Sequence, residues 1–137
     1  MDETIPMGQA VRVGTWDVQV VAANVDAFSS LPIRGEIVPP DVNYLLVTLE
    51  ATNTGSEART FWMDVECEFL SNDGMSFATA SGAVATFNMM VMKGAAAPGE
   101  SVSGDLLFAV PSLLVPGGRV ALHQAATPAE RTFFAVQ

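Results

Sequence analysis

Tyr44-Leu45-Leu46-Val47-Thr48-Leu49-Glu50-Ala51-Thr52-Asn53-Thr54-Gly55 decides the fold class. Leu45, Val47, Leu49 and Ala51 recur every second residue, the spacing that puts side chains on one face of a strand. The stretch then runs into Asn53-Thr54-Gly55-Ser56, a cluster of turn-forming residues. The same period recurs on either side. Trp16, Val18 and Val20 alternate with Asp17 and Gln19. Phe61, Met63, Val65, Cys67 and Phe69 alternate with Trp62, Asp64, Glu66 and Glu68. Val102, Leu106, Phe108 and Val110 alternate with Ser103, Asp105 and Leu107, and Val120 and Leu122 flank Ala121. These runs are short and rich in β-branched and aromatic residues, as strands are.

Turn chemistry separates the runs. Asn72-Asp73-Gly74 reads as a hairpin turn, because Asp-Gly tolerates positive φ. Pro98-Gly99 suits the central positions of a type II turn, and Pro116-Gly117-Gly118 is another tight turn. Pro111 ends its strand by removing a backbone donor. Short strands with this punctuation predict a sandwich or barrel. The expected core is Trp16, Val18, Leu45, Val47, Leu49, Met63, Val65, Phe69, Leu106, Phe108 and Leu122. Residues 28–42, with Pro32, Pro39 and Pro40, read as a long surface connection. Residues 81–97 are apolar and Met-rich; a strand near 84–92 is favoured over a loop covering an open edge. A helix is disfavoured there by Gly82, Gly94 and Pro98.

The chain has 137 residues, suited to one domain. Half of them are hydrophobic and 15% are charged, which excludes a disordered chain. No run is long and apolar enough to be a membrane-spanning helix. The formal net charge is −9, and the six cations Arg12, Arg34, Arg59, Lys93, Arg119 and Arg131 are scattered. Nucleic acids, which bind through clustered Lys and Arg, are therefore not expected as partners, and anionic membrane surfaces are disfavoured for the same reason. The lone Cys67 allows no internal disulfide.

Three segments carry a family resemblance: Gly14-Thr15-Trp16-Asp17-Val18-Gln19-Val20, the stretch from Tyr44 to Gly55, and Pro98-Gly99-Glu100-Ser101-Val102-Ser103-Gly104-Asp105-Leu106-Leu107-Phe108-Ala109-Val110-Pro111. Phe69-Leu70-Ser71-Asn72-Asp73-Gly74 lies between the last two. In this order and spacing, over about residues 8–122, the chain resembles bacterial extracellular immunoglobulin-like domains of unknown function. These occur in secreted proteins and lipoproteins and are related to the mycobacterial secreted immunoprotective antigen. The resemblance implies an immunoglobulin-like antiparallel β-sandwich of seven to nine strands, located outside the cell or in its envelope, with no catalytic residues or cofactor to carry over. It places residues 8–137 in the domain and leaves residues 1–7 as a disordered or added N-terminus. The implied signal sequence or lipid anchor is expected to lie outside these 137 residues. The 81–97 segment and the tail Arg131-Thr132-Phe133-Phe134-Ala135-Val136 look like additions to the family pattern.

Candidate chemistry is sparse. Nucleophilic catalysis needs a nucleophile, a base and an orienting group together. The only histidine, His123, reads as a surface residue, and Cys67, in phase with Val65 and Phe69, reads as a small buried residue with an inert thiol. The chain is therefore read as a non-enzyme. Asp64, Glu66 and Glu68 are expected on one strand face, as a solvated stripe, a docking edge or a calcium site. Residues two apart on a strand are about 6.6–6.8 Å apart, so three do not easily converge on one ion. Met89, Met90 and Met92 are thioethers of the kind that bind Cu(I), or else gap-fillers in a core.

The remaining signal is apolar residues on both phases of two strands. Tyr44 and Leu46, and Leu107 and Ala109, lie opposite the inward residues of their strands. Taken as the C and F strands of an immunoglobulin-like sandwich, the two are neighbours and share an outer apolar face, to which Trp62 is a candidate contributor. Such a face is either covered, here by residues 81–97, or used for association with a partner or a second copy. The reading is a non-catalytic extracellular or envelope module that binds an unidentified protein or envelope ligand, with homodimerisation as one form. The alternative is an exported metal-binding protein.

Overall fold

The computed structural model describes residues 4–24, 41–79, 89–90, 93–127 and 129–136. Nine strands are present among them: β1 (Thr4–Ile5), β2 (Val11–Val13), β3 (Trp16–Asn24), β4 (Val42–Asn53), β5 (Val65–Leu70), β6 (Ser76–Ala78), β7 (Ser101–Pro111), β8 (Arg119–Gln124) and β9 (Thr132–Ala135). A single helical turn, α1 (Phe61–Asp64), precedes β5. The strands form two sheets, ordered β2-β3-β4-β7 and β1-β9-β8-β5-β6. All pairings are antiparallel except β1 with β9.

This is the expected all-β, immunoglobulin-like sandwich. With β3, β4 and β7 as strands A, B and E, and β9, β8, β5 and β6 as G, F, C and C′, the sheet orders A-B-E and G-F-C-C′ are those of that fold. The stretch around Leu45–Ala51 is therefore strand B, and that around Leu106–Val110 is strand E, in place of the expected C and F. The two pair directly all the same, in an unbroken register from Val42↔Pro111 to Thr52↔Ser101.

The period-two reading places most of the core. Val18, Val20, Leu45, Val47, Leu49, Ala51, Leu106, Phe108, Val110, Val120 and Leu122 are all buried between the sheets. Burying such a side chain fully stabilises the fold by about 1.5–3 kcal/mol. Phe69 meets Phe77 and Phe108 at ring-centroid distances of 6.4 and 6.2 Å. Gly74 and Gly99 take positive φ, 94° and 84°, in the turns where the sequence calls for them.

Four expectations are corrected. Met63 is 77% exposed, because Phe61–Asp64 closes a helical turn and the alternation begins only at Val65. The domain reaches back to Thr4: β1 pairs with β9 and buries Ile5, so residue 8 is not its boundary. The tail is not an addition either, since Thr132–Ala135 is strand G and Phe134 is fully buried. His123 is more enclosed than a surface residue, its side chain only 12% exposed.

Of the connection expected at residues 28–42, residues 28–40 lie outside the described residues and Val42 already begins β4; the strand expected near 84–92 also lies outside them, apart from Met89 and Met90. Met89 makes a parallel bridge to Asp105 on β7. Met90 is fully buried in the core against Gly104, where an added Cβ would come within 2.7 Å of the Met90 Cα. The glycine thus admits a backbone segment that no larger residue would.

Candidate functional site

The expected binding face exists as a register but is not open. Tyr44 lies opposite Ala109 and Leu46 opposite Leu107 across β4 and β7, so the four share one outer face. Leu107 is nevertheless fully buried, and Asp105 beside it is buried as well, with Thr48 Oγ1 donating to its carboxylate at 2.7 Å. The face is therefore closed at Leu107, while Tyr44, Leu46 and Ala109 are half-buried. Trp62 does not join them. It sits on α1, at the Asn53 end of β4, while Tyr44 lies at the opposite end, and it packs against the core.

The acidic stripe is divided for the same reason that Met63 is exposed. Asp64 belongs to α1 and leaves the face of β5. Glu68 pairs with Arg131 at 2.5 Å, and Glu66 lies 3.8 Å from His123 Nε2 across β5 and β8. Among the described residues no three His, Cys, Asp or Glu side chains gather as metal ligands do. Met90 is in the core and Met89 beside β7, while Met92 lies outside the described residues. Cys67 faces Leu122 across β5 and β8, and burial, with Glu66 adding to it, pushes its thiol far above the ordinary value. A thiol held protonated is a poor nucleophile at neutral pH.

A concave feature among the described residues lies at one end of the sandwich and was not anticipated from the sequence. It is a cleft of about 400 Å³ between three connections. The β2–β3 hairpin supplies Val13, Gly14, Thr15 and Trp16; the B–C connection and the first residue of β5 supply Arg59, Met63, Asp64 and Val65; the last residue of β8 and the F–G loop supply Gln124, Ala125 and Ala126.

Asp64 ties these walls together. Arg59 Nε donates to Asp64 Oδ2 at 2.6 Å and Arg59 Nη2 to Oδ1 at 2.9 Å, a two-pronged pair. Trp16 Nε1 donates to the same Oδ2 at 3.0 Å, and the Ala125 amide donates to the Asp64 carbonyl at 2.9 Å. Trp16 is buried, its ring edge-on to Phe61 at 5.3 Å. Arg59 is itself placed by a two-way backbone bridge with Ala96, at 3.0 and 2.8 Å. The Arg59 side chain, 45% exposed, and the exposed Met63 side chain stand at the surface of the cleft.

The Arg59 hydrogen bonds hold the Asp64 carboxyl below its ordinary value against the opposing effect of burial, and the Trp16 bond works with them. Because the folded-state value is depressed, the contribution of Asp64 to stability is whole above about pH 4 and is lost as pH falls further. Thermal melts from pH 7 to pH 3 are expected to show the natural chain losing more of its Tm than Asp64→Asn. A gap between the two that stays constant over that range would contradict the ion-pair geometry.

The matching family model, "Domain of unknown function (DUF4352)", spans residues 5–116. The chain belongs to this family. No curated protein matches it. Three solved structures share the fold along nearly the whole length of both chains. The yjhA protein of Bacillus subtilis is 12% identical with a TM-score of 0.65, covering 98% of this chain and 100% of that one. A conserved hypothetical protein of Bacillus anthracis is 10% identical with a TM-score of 0.61, covering 96% and 95%. An uncharacterised β-sandwich protein of Clostridium difficile is 9% identical with a TM-score of 0.60, covering 100% and 97%. At such identities the likeness concerns the fold. No helix among the described residues of the DUF4352 chain is long and apolar enough to cross a membrane.

Proposed function

We propose that this domain is a non-catalytic binding module whose ligand site is the end cleft, and that it works outside the cell or in the envelope of a bacterium. The observation that carries the reading is the fixed Arg59–Asp64–Trp16 arrangement in that cleft. A carboxylate that accepts three hydrogen bonds and is held below its ordinary pKa is a poor proton carrier at neutral pH. It acts as a fixed charge that orients the guanidinium, which suits recognition rather than acid–base work. Position supports this. The cleft is walled by the B–C and F–G connections, the end at which immunoglobulin variable domains carry antigen-binding loops; this is an analogy of fold. The extracellular or envelope location rests on the resemblance to secreted and lipoprotein immunoglobulin-like domains and to the mycobacterial antigen.

The test is an amide-resolved NMR titration of the ¹⁵N-labelled chain against a library of neutral, cationic and anionic fragments. Saturable shifts are expected in Val13–Trp16, Arg59–Val65 and Gln124–Ala126. If the library shifts none of these, or shifts gather on the Tyr44–Leu46 face instead, the cleft is not the binding site.

A further inference from the structure

Resting on that reading, we propose that the cleft takes a short, neutral peptide segment, whose backbone carbonyl docks on the outer edge of the Arg59 guanidinium while an apolar side chain lies against Met63.

Donor geometry sets the first half. A guanidinium carries five N–H donors in one plane. Asp64 uses two, on Nε and Nη2, which leaves the edge formed by Nη1 and the second Nη2 hydrogen. No acceptor meets that edge among the described residues. Because Asp64 fixes the plane, this edge is presented without the loss of side-chain freedom that a loose arginine would incur on binding.

Charge sets the second half. Arg59 is already neutralised by Asp64, in a chain with a formal net charge of −9. A further anion would enter a repelling field, whereas a carbonyl accepts the same hydrogen bonds without bringing charge. The rest of the lining mixes apolar Ala125 and Ala126 with polar but uncharged Thr15 and Gln124, so Arg59 and Asp64 are its charged members. Trp16 is only 1% exposed, so it offers no ring face on which a sugar could stack. Met63 stands out into solvent, and its unbranched thioether adapts to apolar side chains of different shapes. Arginine and methionine are both enriched at protein interfaces. At about 400 Å³ the cleft is at the small end of ligand pockets, suited to a short extended segment and too small for a helix about 10–12 Å across.

Two small probes decide between the chemistries: N-acetyl-leucine-N-methylamide, neutral with two carbonyls, and N-acetyl-leucine, which carries a carboxylate. In amide-resolved NMR titrations of the chain, the neutral probe is expected to shift Gly14, Arg59, Ala125 and Ala126 saturably and to bind more tightly than the acid. Met63→Ala, an exposed change, is expected to weaken the neutral probe several-fold at unchanged Tm. Arg59→Lys, which keeps the charge but removes the planar fork, is expected to abolish its binding. Tighter binding of N-acetyl-leucine overturns the proposal in favour of an anion site. Absence of saturable shifts with either probe also overturns it. If other fragments still move the cleft residues, only the peptide assignment falls; if nothing moves them, the cleft reading falls as well.

Discussion

Trp16→Ala is expected to destabilise the domain by about 3–5 kcal/mol, the range for truncating a large buried aromatic. The side chain is almost wholly enclosed, at the start of β3, opposite Asn53 on one side and Val13 on the other. Its removal opens a cavity between the sheets, ends the edge-on contact with Phe61 and takes one of three donors from Asp64. Trp16→Phe separates these effects. It keeps most of the buried ring and loses the indole N–H, at an expected cost of about 1–2 kcal/mol. Denaturant titrations of both variants measure the difference directly. If Trp16→Ala falls within about 1 kcal/mol of the natural chain, the packing of this end of the sandwich is wrong. An intermediate Trp16→Phe with a normal Trp16→Ala would be inconsistent with any burial of the ring.

The strands legible in the sequence are those with one face in the core and a turn at each end. Leu45, Val47, Leu49 and Ala51 declare strand B because a one-residue slip would expose all four. The same holds for Leu106, Phe108 and Val110 in strand E. Their labels were not legible, because β1 and β2 have only two and three residues, too few for a period to show. Nor was α1. Phe61, Met63 and Val65 satisfy a period of two, but Phe61 and Asp64 also lie three apart, one helical turn, and nothing local chooses between the readings. That choice moved Met63 from the expected core to the surface and Asp64 from the expected stripe into the cleft.

The cleft was beyond reach for a further reason. Its central pairing joins Trp16 to Asp64 across 48 residues, and its third wall comes from Gln124 onward. Arg59 was visible only as one of six scattered cations. Spatial convergence of single residues on separate loops leaves no periodic trace. The sequence does show the converse: Tyr44, Leu46, Leu107 and Ala109 share a face, as the pairing register confirms. What it does not decide is whether that face is covered or used for association, a choice that the enclosure of Leu107 settles only at that one position.

Asn53→Ala is expected to cost about 3–5 kcal/mol, through hydrogen bonding rather than packing. Asn53 is fully buried at the end of β4. Its Nδ2 donates to the carbonyls of Glu57 at 2.8 Å and Ala96 at 2.9 Å, and its Oδ1 accepts from the Gly55 amide at 2.9 Å. Alanine leaves these three backbone groups short of a partner, each at about 1–3 kcal/mol if no water replaces it. The Ala96 carbonyl keeps its second donor, the Arg59 amide at 3.0 Å, so the penalty there is the smallest of the three. Asn53→Asp is the more telling variant. It preserves the shape and the bond from the Gly55 amide but replaces the amide donor with an oxygen that faces two carbonyls, and it buries a negative charge against them. At neutral pH it is expected to be less stable than Asn53→Ala, and the gap is expected to narrow in acid as the carboxyl gains a proton and with it a donor. The consequence for the site follows from connectivity. Asn53 holds Ala96 against the B–C connection, and the same Ala96 bridges to Arg59. Hydrogen exchange at the Arg59 and Ala96 amides is therefore expected to quicken in Asn53→Ala more than exchange in β8, under conditions where both variants remain folded. Equal acceleration throughout would mean that Asn53 supports the whole sandwich evenly, and that the position of Arg59 depends on Asp64 alone.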